Sequence, residues 1–127
     1  MSQDFTALLV AWLTERLPEA RVCTQLPAGE RLRDQLPVVR LRRAPGGQTT
    51  HAGETTVLVE VDAFDTDPEV VWATTHAVGE ELGALSACFY QGSLIDDVQV
   101  HSGPGQATHP DPEVHRTFHI VRLVSRA

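Results

Sequence analysis

The sequence predicts an α+β domain with a small, mostly antiparallel sheet and two main helices packed on one face, and three patterns carry that reading. Apolar residues recur at helical spacing in two segments, residues 3–17 and 67–85. Runs rich in β-branched residues lie between and after them. Clusters of proline and glycine separate the runs. The 127 residues fit one domain, 1–127. A chain of this size buries roughly two-thirds of its unfolded surface.

The first helix rests on Phe5, Leu8, Leu9, Trp12, Leu13 and Leu17, with Ser2 or Asp4 as cap and Pro18 as stop. A short strand is expected at 21–25. A loop with room for one helical turn follows at 26–36. Pro37 opens a strand at 38–43, and 55–64 is the next strand, with a long mobile loop at 44–54 between them. Matched parity makes these two strands an antiparallel hairpin. Val39, Leu41, Val57, Val59 and Val61 then share an apolar face, while Arg40 and Arg42 meet Glu60 and Asp62 on the other. A slip of one residue would expose every valine, which fixes the register.

Asp67-Pro68-Glu69 is a helix start: Asp67 caps, Pro68 suits the first position and the acids oppose the helix dipole. Val71, Val78, Leu82 and Leu85 supply the buried stripe, while Gly79 and Gly83 weaken the helix or let it pack closely. Residues 87–90 read as a short strand or irregular edge, 95–102 as a strand, 103–112 as a loop and 114–125 as a long final strand. Phe118 and Ile120 lie on one face of that last strand and Val121 and Leu123 on the other, which predicts burial of both, by helices and by a partner.

Charge is unevenly distributed. Of 17 acids and 10 arginines, twelve acids and no arginine fall in 44–115; seven arginines lie before it and three after. Net charge is −7, without the basic footprint of a nucleic-acid binder. Two readings stand: pairing of the charges within the sheet, or complementary faces meeting between copies.

Catalytic chemistry finds little support. His109, Asp111, Glu113 and His115 alternate along one stretch, but prolines interrupt it and alternation keeps the side chains from converging on a metal. Asp62, Asp65 and Asp67 surround a strand-to-helix turn, where capping accounts for them as well as a cation would. Asp96 and Asp97 point to opposite faces of a strand. His76, His101 and His119 read as structural histidines. No nucleophile elbow, zinc motif or phosphate loop occurs, so no catalytic residue, metal or cofactor is assigned and an enzyme is not expected. Cys23 and Cys88 read as inert strand thiols in a reducing compartment. Trp12 and Trp72 belong to helix faces. The segment Met1–Phe5 lacks the features of a secretory leader, and no apolar run approaches the ~18 residues of a membrane span.

The helix ending in Leu17-Pro18, the strand Leu36-Pro37-Val38-Val39-Arg40, the strand 57–64, the Asp67-Pro68 helix and the final strand Arg116-Thr117-Phe118-His119-Ile120-Val121 together resemble the tail-terminator (tail-completion) family of long-tailed bacteriophages. The resemblance covers nearly the whole chain and lies in the order of elements. It implies a virion protein of the tail–neck region, assembled in the host cytoplasm. In that family a homo-oligomeric ring, usually a hexamer, caps the tail tube, ends its polymerisation and offers a docking surface to the neck. The implied partners are further copies of the chain, the tail tube protein and a head–tail connector, with no membrane and no sequence-specific nucleic acid, although DNA passes through the lumen. The 44–54 loop and the extended final strand match family features. Candidate interface residues are Arg40, Arg42, Arg43, Glu60, Asp62, Gly46, Gly47, His109, Arg116 and Phe118. The alternatives are a head–tail connector or head-closure protein, a small metal-dependent enzyme using the 109–115 run or the 62–67 turn, and a monomeric binding module.

Overall fold

The computed structural model describes residues 3–126. Its elements are α1 (Phe5–Arg16), β1 (Arg21–Cys23), α2 (Glu30–Asp34), β2 (Val38–His51), β3 (Glu54–Asp65), α3 (Pro68–Ala84), β4 (Cys88–Tyr90), β5 (Ser93–Ala107) and β6 (His115–Arg126). Six strands form one sheet in the order β1-β2-β3-β6-β5-β4. Only β1 and β2 are parallel, with α2 in the connection between them; every other pair is antiparallel. The protein is therefore α+β with a mostly antiparallel sheet and three helices.

Local chemistry accounts for the helix ends. Asp4 accepts a hydrogen bond from the Ala7 amide at 3.1 Å, and Asp67 accepts one from the Glu69 amide at 2.9 Å. Each satisfies an amide that the first turn leaves free. The other predicted cap, Ser2, lies outside the described residues. Pro68 occupies the first turn of α3, where its missing N–H costs nothing.

The hairpin register is the one the alternation predicts: Arg40 faces Asp62, and Arg42 faces Glu60. The expected 44–54 loop is corrected. β2 continues to His51, with residues 44–47 bulged out between the paired positions Arg43 and Gln48. A two-residue turn then follows at Ala52 and Gly53, with φ of 53° and 80°. Two consecutive positive φ values match the right-handed twist of a hairpin. Gln91 and Gly92 repeat the device between β4 and β5, with φ of 49° and 80°. The expected 103–112 loop is likewise corrected, because β5 continues through Gly103 and Pro104 to Ala107, with register shifts that absorb the irregular residues. The final strand lies between β3 and β5, not at an edge.

The larger core joins Leu8, Leu9 and Leu13 of α1, Val78 and Leu82 of α3, and the odd-numbered Val39, Leu41, Val57, Val59, Val61, Val121 and Leu123 of the sheet. The Trp12 indole N–H donates to the Glu81 carbonyl at 2.7 Å and ties α1 to α3. A second cluster holds Leu32 of α2 with Val38, Phe64 and Val114. Val38 and Phe64 are register partners on the even-numbered face, so α2 packs with residues of the opposite parity. Cys23 and Cys88 are free and half-buried on the edge strands. Burial pushes the Cys23 thiol up from its ordinary value.

Candidate functional site

The even-numbered face of the central strands carries a compact ion network. Register brings Arg40 opposite Asp62 on β3, and β6 places Phe118 opposite Asp62 and Arg116 opposite Phe64. Asp62 has no exposed surface. Its Oδ2 accepts from Arg40 Nε at 3.1 Å and also from Arg40 Nη2, while its Oδ1 accepts from Arg116 Nη2 at 3.1 Å and Nε at 3.3 Å. Glu60 receives Arg42 Nε at 2.6 Å, with Arg40 and Arg116 Nη2 at 3.6 and 3.7 Å. Three guanidiniums thus share two carboxylates. A buried carboxylate is tolerated here because both oxygens receive charge-assisted bonds. The hydrogen bond to Glu60 is the main cause holding the Arg42 guanidinium above its ordinary pKa.

Aromatic rings flank the network. The Arg40 and Arg116 guanidinium carbons lie 5.4 and 5.8 Å from the Phe64 ring centre, and Arg116 lies 6.0 Å from that of Phe118. The His109 ring meets Phe64 edge-on at 5.8 Å, and its Nδ1 accepts from the Asp111 amide at 3.0 Å. A cavity of about 450 Å³ opens above Phe64, between Arg40 and Arg116 on one side and Leu26, Pro27 and Pro110 on the other.

The sequence-predicted residues therefore divide. Arg40, Arg42, Glu60, Asp62 and Arg116 form one cluster, with His109 and Phe118 beside it. Arg43, Gly46 and Gly47 stand apart at the β2 bulge. There Arg43 Nη1 donates to Gln48 Oε1 at 3.0 Å. A Cβ on Gly47 would meet the Ala44 carbonyl oxygen at 2.7 Å and the Leu58 carbonyl oxygen at 3.0 Å, so the bulge admits only glycine without a shift. Pairing within the sheet accounts for Arg40, Arg42, Glu60 and Asp62.

Two features went unread in the sequence. Phe64 is the floor of the cavity, although its place at the end of an apolar run gave no sign of it. Arg33 of α2 donates to Asp111 at 2.6 Å and Glu113 at 3.0 Å, which ties α2 to the segment before β6. The separation of 78 residues between Arg33 and Asp111 leaves no local signal. The Glu113 amide first, then Arg33, holds the Asp111 carboxyl below its ordinary pKa. These bonds occupy the acids of the 109–115 run. Asp65 accepts from the Asp67 amide, so the 62–67 turn uses its acids for pairing and capping. Among the described residues, no three His, Cys, Asp or Glu side chains are placed to hold a metal ion, and no helix is long and apolar enough to cross a membrane.

Within β6, His119 is 3% exposed and its Nδ1 has no hydrogen-bond partner among the described residues. Burial pushes its pKa down, against the smaller pull of the Asp62 charge. Gly103, at φ +87°, lies against it: a Cβ there would stand 2.8 Å from the His119 Cβ.

No family model matches the chain, and no curated protein does. Among solved structures, the fold is similar to that of a chain in the virion of a native gene transfer agent particle. The TM-score is 0.57 at 14% identity, over 95% of this chain and 86% of that one. The likeness covers the helices and the sheet together and shows a shared fold.

Proposed function

We propose that this chain is a structural virion protein, and that it acts by contact without transforming a substrate. The single observation that carries this reading is the fold it shares, over 95% of its length, with a chain of a virion particle. Within that class, we infer that six copies close into a ring at the head-proximal end of a tail tube. The ring ends tube growth and presents its other surface to a neck or connector protein in the tail–neck region, with DNA passing through the lumen.

The physics of the surface supports the finer reading. A ring needs a heterologous contact, in which two different patches meet around a closing rotation. The sheet has two unlike edges, the parallel β1 and the antiparallel β4. With α1 and α3 covering one sheet face, the other offers the arginine–carboxylate network and, at its far side, Phe89, which is 74% exposed. Arg43, Gly46 and Gly47 belong to the bulged β2 arm, a second contact region suited to the tube.

Native mass spectrometry of the purified chain tests the ring. A closed oligomer centred on six subunits is expected. A single monomeric species up to about 100 µM, a range in which micromolar contacts populate, would remove this reading. A particle that binds a portal-side protein and leaves tube growth untouched would mark it instead as a connector.

A further inference from the structure

We propose that the β4 edge of one copy docks beside the β1 edge of the next, with Phe89 seated in the hollow between β1 and α2. This contact rests on the ring reading and names the two surfaces that close the ring.

β4 and β1 are the two ends of one sheet. Along the sheet, β1 and β2 run together, β3 reverses, β6 returns, β5 reverses and β4 returns. The two edge strands therefore run in the same direction, and each has one side that faces no strand. An unpaired edge is a template for another strand. β4 lacks the features that usually guard an edge: its residues are Cys88, Phe89 and Tyr90, with no charge, proline or bulge.

Phe89 is 74% exposed, and its register partner Leu94 is 38% exposed. The pairing runs Phe89–Leu94–Arg126–Glu54 across β4, β5, β6 and β3, which puts Phe89 on the even-numbered face. Two adjacent apolar side chains at an open edge make a contact patch with Phe89 as its knob.

At the opposite edge, a hollow of about 660 Å³ is lined by Arg21, Gln25, Leu26, Pro27, Arg31 and Gln35. Arg21 is the register partner of Val38, so its wall of the hollow belongs to the even-numbered face as well. Leu26 and Pro27 are half-buried and give it an apolar side. Arg21 and Arg31 are exposed and belong to none of the ion pairs among the described residues. Either guanidinium can lie over an incoming aromatic ring.

These placements point to a second copy as the occupant. Knob and hollow lie on one face, at opposite edges, on strands that run the same way. A rotation about an axis along the strands keeps both face and direction. It brings β4 beside β1 as a parallel pair, the kind β1 already makes with β2. Each copy then uses both surfaces once, which is the heterologous contact of a closed ring.

The test carries p-benzoylphenylalanine at position 89 of the full chain, in an equal mixture of unlabelled and 15N-labelled copies. After irradiation, light–heavy cross-links should join position 89 to the segment 21–35 of another copy. Phe89→Ala should keep the wild-type melting temperature, because the side chain is mostly exposed, and should lower the ring at least tenfold in native mass spectra. A ring whose position 89 cross-links elsewhere, or not at all, overturns this contact and leaves the ring standing. So does Phe89→Ala with rings at the wild-type level. Cross-links from position 89 to the segment 88–94 of another copy would mark a two-fold β4 contact in its place. A wild-type chain that stays monomeric overturns the ring reading and this contact together.

Discussion

Asp62 and Arg116, 54 residues apart in sequence, meet on adjacent strands at 3.1 Å, and the Asp62 carboxylate has no exposed surface. Its other oxygen belongs to Arg40. Removing the carboxylate would leave two guanidiniums facing each other beside Phe64. Asp62→Asn should therefore lower unfolding stability by about 3 kcal/mol or more, read from urea denaturation. Arg42→Gln removes a half-exposed partner of Glu60 and should cost under about 1 kcal/mol. Equal losses in the two variants would show that the network does not depend on Asp62.

Gly103 is a packing position. Its φ of +87° disfavours any side chain, and an added Cβ would press on the Cβ of His119 at 2.8 Å and the Phe118 carbonyl at 2.9 Å. Gly103→Ala should destabilise the protein by about 1–3 kcal/mol. Gly105, two residues on, has open space around it. Gly105→Ala should change stability by less than about 0.5 kcal/mol. Thermal melting of the two variants makes the comparison directly.

His119 predicts a pH dependence. Burial lowers its pKa in the folded state, so the unfolded chain binds a proton more readily. Its contribution is complete above the unfolded value near 6.5. It is lost as pH falls from there through the lowered folded value. Unfolding stability should therefore fall between pH 7 and 5.5. The lowered carboxyl of Asp111 acts in the same direction but below about pH 4. His119→Val removes the titrating group, so its stability should be flatter over pH 5.5–7 than that of the wild type. Identical slopes would exclude His119 as the source.

Much of the fold was legible because burial enforces parity. Val39, Leu41, Val57, Val59 and Val61 left one register open to the β2–β3 hairpin, and Asp67-Pro68 marked the start of α3. The long arms were not legible. Ala52-Gly53 and Gln91-Gly92 form tight turns without the asparagine or aspartate that usually announces one. The glycines and prolines of 44–47 and 103–104 read as loop but are absorbed as irregularities inside paired strands. At the candidate site, local pairing exposed Arg40, Arg42, Glu60 and Asp62. Arg116 reaching Asp62, Arg33 reaching Asp111 and Phe64 flooring the cavity are long-range relationships that no spacing encodes.

Arrest of tube growth tests the central claim most directly. Purified chain would be added at increasing ratios to polymerising tube protein of its own particle, and tube lengths and ends imaged by electron microscopy. The account predicts tubes that shorten with added chain and carry a ring at one end alone. Unchanged lengths with bare ends, at concentrations where the chain is folded, would contradict it.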